Sequence, residues 1–384
     1  VRLRLDRDAF AEAVAWTARA LPARPAVPVL AGMRMEVAED GASLRLSGFD
    51  YEVSTRASVR ADAAEGGSAL VPGRLVAEIV RNLPEGTVDI ESQGSRIRVT
   101  GGAARFTLIT MPLEDYPSLP GMPPRIGAVP AQALTQAVRQ VTPAASRDDT
   151  LPMLTGACLD FTGDNLSVVA TDRYRIAVRE LWWLPSDPGL DVSALVPART
   201  LSDTVRGLVT GENVDIALST VTVGEGMSTS PEEGMIGFES GERRTTTRLI
   251  DSDFLKYRSW FPADFSGRAH VTVAPLLEAV KRVALVADRA TPLRLAFSED
   301  EVVLEAGSGE DAQAVEAIEV DYEGDPLRLA FRPDYLMDGL SGVETERARL
   351  NFTEPTKPAV FTDLPEGEGQ EPAFRYLVQP LRVS

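Results

Sequence analysis

The chain holds one histidine, His270, and one cysteine, Cys158, and that scarcity narrows the chemistry open to it. Acid–base or nucleophilic catalysis needs a tuned group and a partner that activates it. His270, beside an expected strand, has no such neighbour and reads as an ordinary structural histidine. A lone cysteine forms neither an internal disulfide nor a cysteine-built metal cage. Asp148 and Asp149 are adjacent carboxylates, but beside Arg147 they read as a helix end rather than an acid–base dyad. No Gly-x-x-x-x-Gly-Lys loop and no Gly-x-Gly-x-x-Gly turn occurs. Enzyme is therefore the weaker class, and no cofactor or metal is expected.

The cations are more informative. Arg74 and Arg81 in LVPGRLVAEIVRNLPEG match Arg199 and Arg206 in LVPARTLSDTVRGLVTGE. A seven-residue spacing is two helical turns, so each pair shares one face. Arg139, Lys281 and Arg282 fall on other expected helices, Arg7 and Arg19 at the ends of the opening one, and Arg24 and Arg147 in loops after helices. Such faces either show charge to water or touch phosphates without reading bases. A second feature is ATDRYRIAV, residues 170–178, read as one half of a hairpin with two arginines flanking a tyrosine. It is either a solvated tip or a recognition surface.

These residues must be positioned by something, and the chain repeats itself three times. RDAFAEAVAWTARAL, PAQALTQAVRQVTPA and APLLEAVKRVALVAD are amphipathic helices. Each is followed by alternating runs with turn residues between them, read as hairpins. A second helix follows in each segment, the third, LAFRPDYLMDGLSGVETE, being more distant. A period of roughly 125–135 residues is too long for a solenoid. It implies three α+β domains, each with two helices and a sheet, over residues 1–122, 123–252 and 253–384. Two Gly-rich, acidic stretches, near Gly224 and Pro365, read as loose hairpin tips.

The net charge is −18. Spread evenly, that charge would repel nucleic acid, but screening acts over about 8 Å, so a basic inner wall is compatible with an acidic exterior. No apolar run is long enough to span a bilayer. VRLRLDRDAF alternates and then turns amphipathic, without a signal core, so a cytoplasmic protein with no membrane partner is expected.

The motifs SGFDYEVSTR, RDDTLPMLTGACLDF, VVATDRYRIAV, FLKYRSWFP, TKPAVF and YLVQPLRVS occur in this order along the chain. With the threefold repeat, they resemble the bacterial β sliding clamp family in its actinobacterial form, the processivity subunit of the replicative DNA polymerase III. The resemblance covers nearly the whole chain. It implies the DNA-clamp fold, with two chains closed head to tail into a dimeric ring around duplex DNA, helices lining the hole and strands outside. The DNA-facing positions would be Arg24, Arg74, Arg81, Arg139, Arg147, Arg199, Arg206, Lys281 and Arg282. Ring closure between domain 1 of one chain and domain 3 of the other would use Ile79, Phe106 and Leu108 against Ala284 and Leu285. Intramolecular core packing is the alternative for those apolar residues.

The resemblance also implies a groove for short peptides from polymerase, clamp loader and repair proteins. Its residues would be Leu154, Thr171, Arg173, Tyr174, Arg175, Ile176, Leu255, Ser259, Trp260, Arg332, Tyr335, Thr356, Pro358, Leu377, Gln379, Pro380, Leu381 and Arg382. An apolar floor with cationic and aromatic walls suits such ligands. Three positions depart from the family pattern. Leu255 stands for the usual proline, Trp260 for a small aliphatic residue, and Gln379 for a methionine. A specialised copy that keeps its partners and excludes a groove-binding peptide antibiotic is one reading. Neutral variation in a housekeeping clamp is another, and a clamp-fold scaffold that never encircles DNA is a third.

Overall fold

The structure, a computed structural model, describes residues 1–208, 211–219, 234–287, 292–307, 312–364 and 371–382. The two acidic stretches near Gly224 and Pro365 fall almost wholly outside these residues. The chain is three repeats of one α+β module. The first runs β1 (Arg2–Asp6), α1 (Arg7–Thr17), β2 (Gly32–Val37), β3 (Ser43–Phe49), β4 (Val53–Glu65), β5 (Ser68–Pro72), α2 (Gly73–Asn82), β6 (Thr87–Gln93), β7 (Arg96–Gly101) and β8 (Ala104–Ile109). The second runs β9 (Arg125–Pro130), α3 (Ala131–Val141), a one-turn α4 (Pro152–Thr155), β10 (Gly156–Thr162), β11 (Asn165–Thr171), β12 (Arg175–Trp182), β13 (Leu184–Pro185), β14 (Asp191–Pro197), α5 (Ala198–Val205), β15 (Asn213–Ser219), β16 (Met235–Ser240) and β17 (Arg243–Arg248). The third runs β18 (Gly267–Thr272), α6 (Val273–Val283), β19 (Leu293–Phe297), β20 (Glu301–Ala306), β21 (Ala314–Glu319), β22 (Asp321–Glu323), β23 (Leu327–Phe331), α7 (Pro333–Gly342), β24 (Arg347–Phe352), β25 (Ala359–Asp363) and β26 (Phe374–Val378).

Local chemistry explains the elements. In β1, Leu3 and Leu5 point inward while Arg2, Arg4 and Asp6 stay outside, the period of a half-buried strand. Asp6 then caps α1 by accepting from the Ala9 amide at 2.9 Å. On α2, Gly73, Val76, Ile79 and Val80 form the buried stripe, the spacing of a helix with one wet face.

The register of the repeat is exact enough to follow residue by residue. Phe10, Leu134 and Leu276 occupy one buried position of the first helices, and Val14, Val138 and Val280 the next. The second helices close identically: the Leu83, Leu208 and Val343 amides donate to the carbonyls of Val80, Val205 and Leu340. This brings the distant third copy into line with the others.

The chain packs as two compact bodies. One comprises Val1–Gln132, Leu184–Asp187 and Asp203–Leu249; the other comprises Ala133–Trp183, Pro188–Ser202 and Ile250–Ser384. The first holds one 13-stranded sheet ordered β13-β9-β15-β16-β17-β4-β1-β6-β7-β8, with β2, β3 and β5 attached. The pairings are antiparallel, and β17 of module 2 pairs with β4 of module 1. The second body holds the sheet β14-β10-β11-β12-β26-β25-β24-β18-β22 and a four-stranded sheet β21-β20-β19-β23. Here β12 of module 2 pairs with β26 of module 3, the same strands of the repeat.

Helices meet at these junctions in a repeated way. In the first body, Trp16 of α1, only 3% exposed, packs against Gly207, where a Cβ would fall 2.0 Å from the ring. Arg243 donates Nη1 to the Gly207 carbonyl at 2.5 Å and pairs through Nη2 with Glu12. Arg19 reaches the Asp203 carbonyl at 3.3 Å. In the second body, Gln140 of α3, 6% exposed, donates Nε2 to the Gly342 carbonyl at 2.5 Å.

Arg175 completes the second junction. It is buried, with Nε 3.0 Å from Asp172, Nη1 2.6 Å from Asp338 and 3.3 Å from the Tyr376 hydroxyl, and Nη2 2.5 Å from the Pro143 carbonyl. Its guanidinium lies 4.2 Å from the Tyr335 ring centroid. Burial opposes the charge, but Tyr376, Asp338 and Asp172 outweigh it and hold Arg175 above its usual value. Burial, then Asp172, pushes the Tyr335 phenol up to about 12. Arg175→Ala strands the largely enclosed Asp172 carboxylate and is expected to cost about 3 kcal/mol, read from the urea midpoint. Arg175→Lys should recover only part, since an ammonium lacks the planar fork. A wild-type midpoint for Arg175→Ala would contradict this account.

Candidate functional site

The predicted peptide-groove residues all lie in the second body. Its floor is built by strand pairing: Ile176 of β12 opposes Leu377 of β26, and Leu377 opposes Val360 of β25. These three join Cys158, Val169, Val178, Leu195 and Tyr257 in one buried cluster, with Met153, Phe254, Phe261 and Phe265 packed against it. Leu154, from α4, is buried. Sequence reasoning missed Val360, Tyr257, Phe254 and Phe261. Their signal was available in TKPAVF and FLKYRSWFP, where aromatic and aliphatic residues crowd together.

The stretch at residues 170–178 crosses a hairpin rather than forming one half of it. β11 ends at Thr171 and β12 begins at Arg175. Arg173 adopts φ +81°, a costly conformation for a non-glycine residue. It is held by the Thr171 hydroxyl, which accepts from the Arg173 amide at 3.2 Å and donates to the Arg175 carbonyl at 2.7 Å. Asp172 Oδ1 accepts from the Tyr174 and Arg175 amides at 3.1 Å each. The tip thus exposes Arg173 and Tyr174 and sends Arg175 inward. The expectation of two cations flanking the ring is corrected: Arg175 spends its donors within the fold, because Asp338 and Tyr376 converge on it.

The rim is assembled from three further segments. Trp260 is exposed, at the end of the turn Tyr257–Trp260. That turn is braced by the Leu255 carbonyl, which accepts from the Tyr257 amide at 2.8 Å, and by Ser259 Oγ on the Lys256 carbonyl at 3.1 Å. Arg332 forks onto Asp334 and sits 4.5 Å from the Tyr335 ring, while Tyr335 itself is buried. Arg332 is therefore a neutralised wall, not a free cation. Gln379 anchors the last segment: its amide N–H donates to the Tyr174 carbonyl at 2.8 Å, and its side chain donates Nε2 to the Thr356 carbonyl at 2.9 Å. The Leu381 amide reaches the Ala330 carbonyl at 2.7 Å. Pro358 is half-buried, Pro380 buried, and Thr356, Leu381 and Arg382 exposed.

The remaining predicted residues divide by partner. Arg24, Arg81, Arg139, Arg147 and Arg199 are exposed and carry no ion pair among the described residues. Arg74 donates to the Leu21 carbonyl at 2.7 Å. Arg206 lies one residue beyond α5 rather than on it and pairs with Asp203 at 2.9 Å. Lys281 pairs with Glu278 at 2.8 Å, and Arg282 forks onto Glu316. Of the interface candidates, Ile79 and Leu108 pack with the core of module 1, the packing weighed as their alternative: Ile79 falls on the same helix face as Val76 and Val80. Phe106 is exposed, Ala284 half-buried and Leu285 84% exposed. Ile109 and Val315, which sequence reading did not single out, are exposed apolar residues on β8 and β21. Alternation in ARFTLIT and AVEAIE was the available signal.

The residues set aside as non-catalytic have structural roles. His270 Nε2 accepts from Arg349 Nε at 3.3 Å, and its Nδ1 lies 3.7 Å from Asp321, tying β18 to its two neighbours. Cys158 is buried, and burial pushes its thiol up to about 12, far from a reactive thiolate. Among the described residues no helix is long and apolar enough to cross a membrane.

Comparison with known proteins now bears on this geometry. The N-terminal, central and C-terminal domain families of the DNA polymerase III beta subunit match residues 1–120, 128–256 and 258–372. The β sliding clamp of Streptomyces coelicolor is 50% identical, with 100% of both chains covered. The β sliding clamp homolog GriR of Streptomyces muensis is 38% identical over 100% of this chain and 99% of its own. Among solved structures, the Pseudomonas aeruginosa sliding clamp bound to griselimycin superposes with a TM-score of 0.88 at 26% identity, covering 100% of this chain and 99% of that one. Three domain families matched in order, on a fold of three modules in one register, place the chain in the DNA polymerase III beta subunit family, the bacterial β sliding clamps.

Proposed function

We propose that two copies of this sliding clamp close head to tail around duplex DNA and tether the replicative polymerase, without catalysis of their own. One observation carries the reading. Strands β4 and β12 are each joined to the next module's last strand, β17 and β26. The corresponding strands β21 and β8 are sheet ends, each with a single partner. Among the described residues, each chain therefore leaves unpaired the one strand of module 3 and the one strand of module 1 whose counterparts pair across the two internal junctions. Unpaired edges invite pairing with another chain, and exposed Val315 and Leu285 on one side and Phe106 and Ile109 on the other supply apolar cover.

A closed link lets contacts to DNA stay weak. Exposed Arg24, Arg81, Arg139, Arg147 and Arg199 would touch phosphates without reading bases, while the net charge of −18 keeps the remaining surface from binding nucleic acid indiscriminately. The floor of Ile176, Val360 and Leu377 would take the apolar anchors of short peptides from polymerase, clamp loader and repair proteins. After loading, the protein is expected to persist on circular duplex and to be lost from the same DNA once linearised. Equal retention on both forms, or equal loss, would refute a topological link.

A second reading concerns the groove's occupant. The side chain of Gln379 is already engaged with the Thr356 carbonyl, and Trp260 adds bulk at the rim. An occupant that displaces the Gln379 side chain with apolar groups breaks that hydrogen bond without replacing it, at a cost of about 1 kcal/mol or more. The clamp would then be a copy resistant to griselimycin. Titrated with griselimycin, it is expected to bind about ten-fold more weakly than its Gln379→Met variant. Equal affinities would leave neutral variation as the explanation.

A further inference from the structure

Position by position, the tenth residue of each first helix is Trp16 in α1, Gln140 in α3 and Arg282 in α6. The tenth position counted from the start of each second helix is Asn82 in α2, Gly207 just past α5 and Gly342 in α7. The structure pairs these positions twice. Trp16 lies on Gly207, and Gln140 donates to the Gly342 carbonyl. In both junctions the first-helix residue is buried and touches the next module, and both glycine carbonyls accept a side-chain N–H. The third pair is left over. Arg282 keeps 55% of its side chain exposed, and Asn82 is exposed on the opposite end of the repeat.

The geometry points to Arg282 of one protomer seating on the α2 C-terminus of a second copy, at Asn82, as the third instance of the same helix junction. This inference rests on the two-copy reading above. A guanidinium has five N–H donors, and Glu316 engages only Nε and Nη2 of Arg282. Nη1 remains for a carbonyl. Arg243 already works this way in the first junction, with one nitrogen on the Glu12 carboxylate and the other on the Gly207 carbonyl. Glu316 lies on β21, the unpaired edge itself, so the ion pair fixes the cation beside the strand that needs a partner. The negative end of the partner's helix dipole favours a cation at that spot. The next turn is consistent: Leu285 occupies the position of Arg19, which reaches Asp203, and the equivalent of Asp203 in module 1 is Glu78, one turn from exposed Leu75. Arg282 is then an interface residue and not one of the DNA contacts.

Sedimentation of the full chain over a dilution series measures the dimer dissociation constant for wild type, Arg282→Ala, Arg282→Gln and Asn82→Trp. Both positions are exposed in the single chain, so an unchanged urea midpoint controls for folding. Arg282→Ala is expected to weaken the dimer about 100-fold or more, as for loss of a charged hydrogen bond in each of two junctions. Arg282→Gln, with the donor used by Gln140, should recover most of that loss, and Asn82→Trp should weaken the dimer by filling a site where the equivalent residues are glycine. If Arg282→Ala dimerises like wild type, or lowers only DNA retention, the assignment is overturned while the dimer reading stands. A wild type that stays monomeric throughout overturns both.

Discussion

A side chain from the first helix of one module resting on the carbonyl end of the second helix of the next is the contact on which this architecture depends. In the two junctions within the chain it sets a ring or a donor on one side against a glycine on the other. At Gly207 any Cβ would enter the Trp16 ring, and at Gly342 one would enter Phe374. The strand pairs β4·β17 and β12·β26 run beside these helix contacts, so backbone ladders and helix ends fix each junction together. Neither alone suffices, because a ladder permits slippage by register and a single helix contact permits rotation.

The charged residues are divided between this structural work and the proposed contacts with other molecules. Arg175, Arg243, Arg282 and Arg332 each face at least one carboxylate. The first two are largely enclosed, where an unpaired charge would be expensive. The arginines without an ion pair among the described residues are exposed on or near helices. An acidic chain therefore retains a few exposed cations with no ion pair among the described residues, the arrangement that weak, exchangeable contact with phosphates requires. The groove follows the opposite logic. In the proposed peptide site the floor is apolar ladder residues, while Arg332 and Gln379 of the rim are already engaged, so a ligand there would gain from burial and lose where it displaces Gln379.

Much of the fold was legible because the repeat is written in side chains with a plain physical role. LVPGR and LVPAR announce a strand running into a helix, and the apolar spacing of the helices marks their buried faces. Ile79 was legible too, as an inward residue of α2, and its assignment to an interface came from family likeness rather than from that spacing. Arg175 was not legible. Its partners Asp338 and Tyr376 lie 163 and 201 residues away, and alternation through residues 170–178 does not reveal a chain reversal at Arg173. The groove's membership came from resemblance, since residues as separate as Leu154 and Leu381 share no local pattern.

On the proposed reading, modules 1 and 3 of each chain carry an unfinished junction that a second copy completes. Hydrogen exchange of backbone amides in β8 and β21, followed across dilution of the full-length chain, tests it most directly. The account predicts that both strands are protected at high concentration and lose protection together on dilution, while amides of β14, a sheet end with no assigned partner, do not respond. Exchange in β8 and β21 that is independent of concentration, or that changes in only one of the two strands, would contradict it.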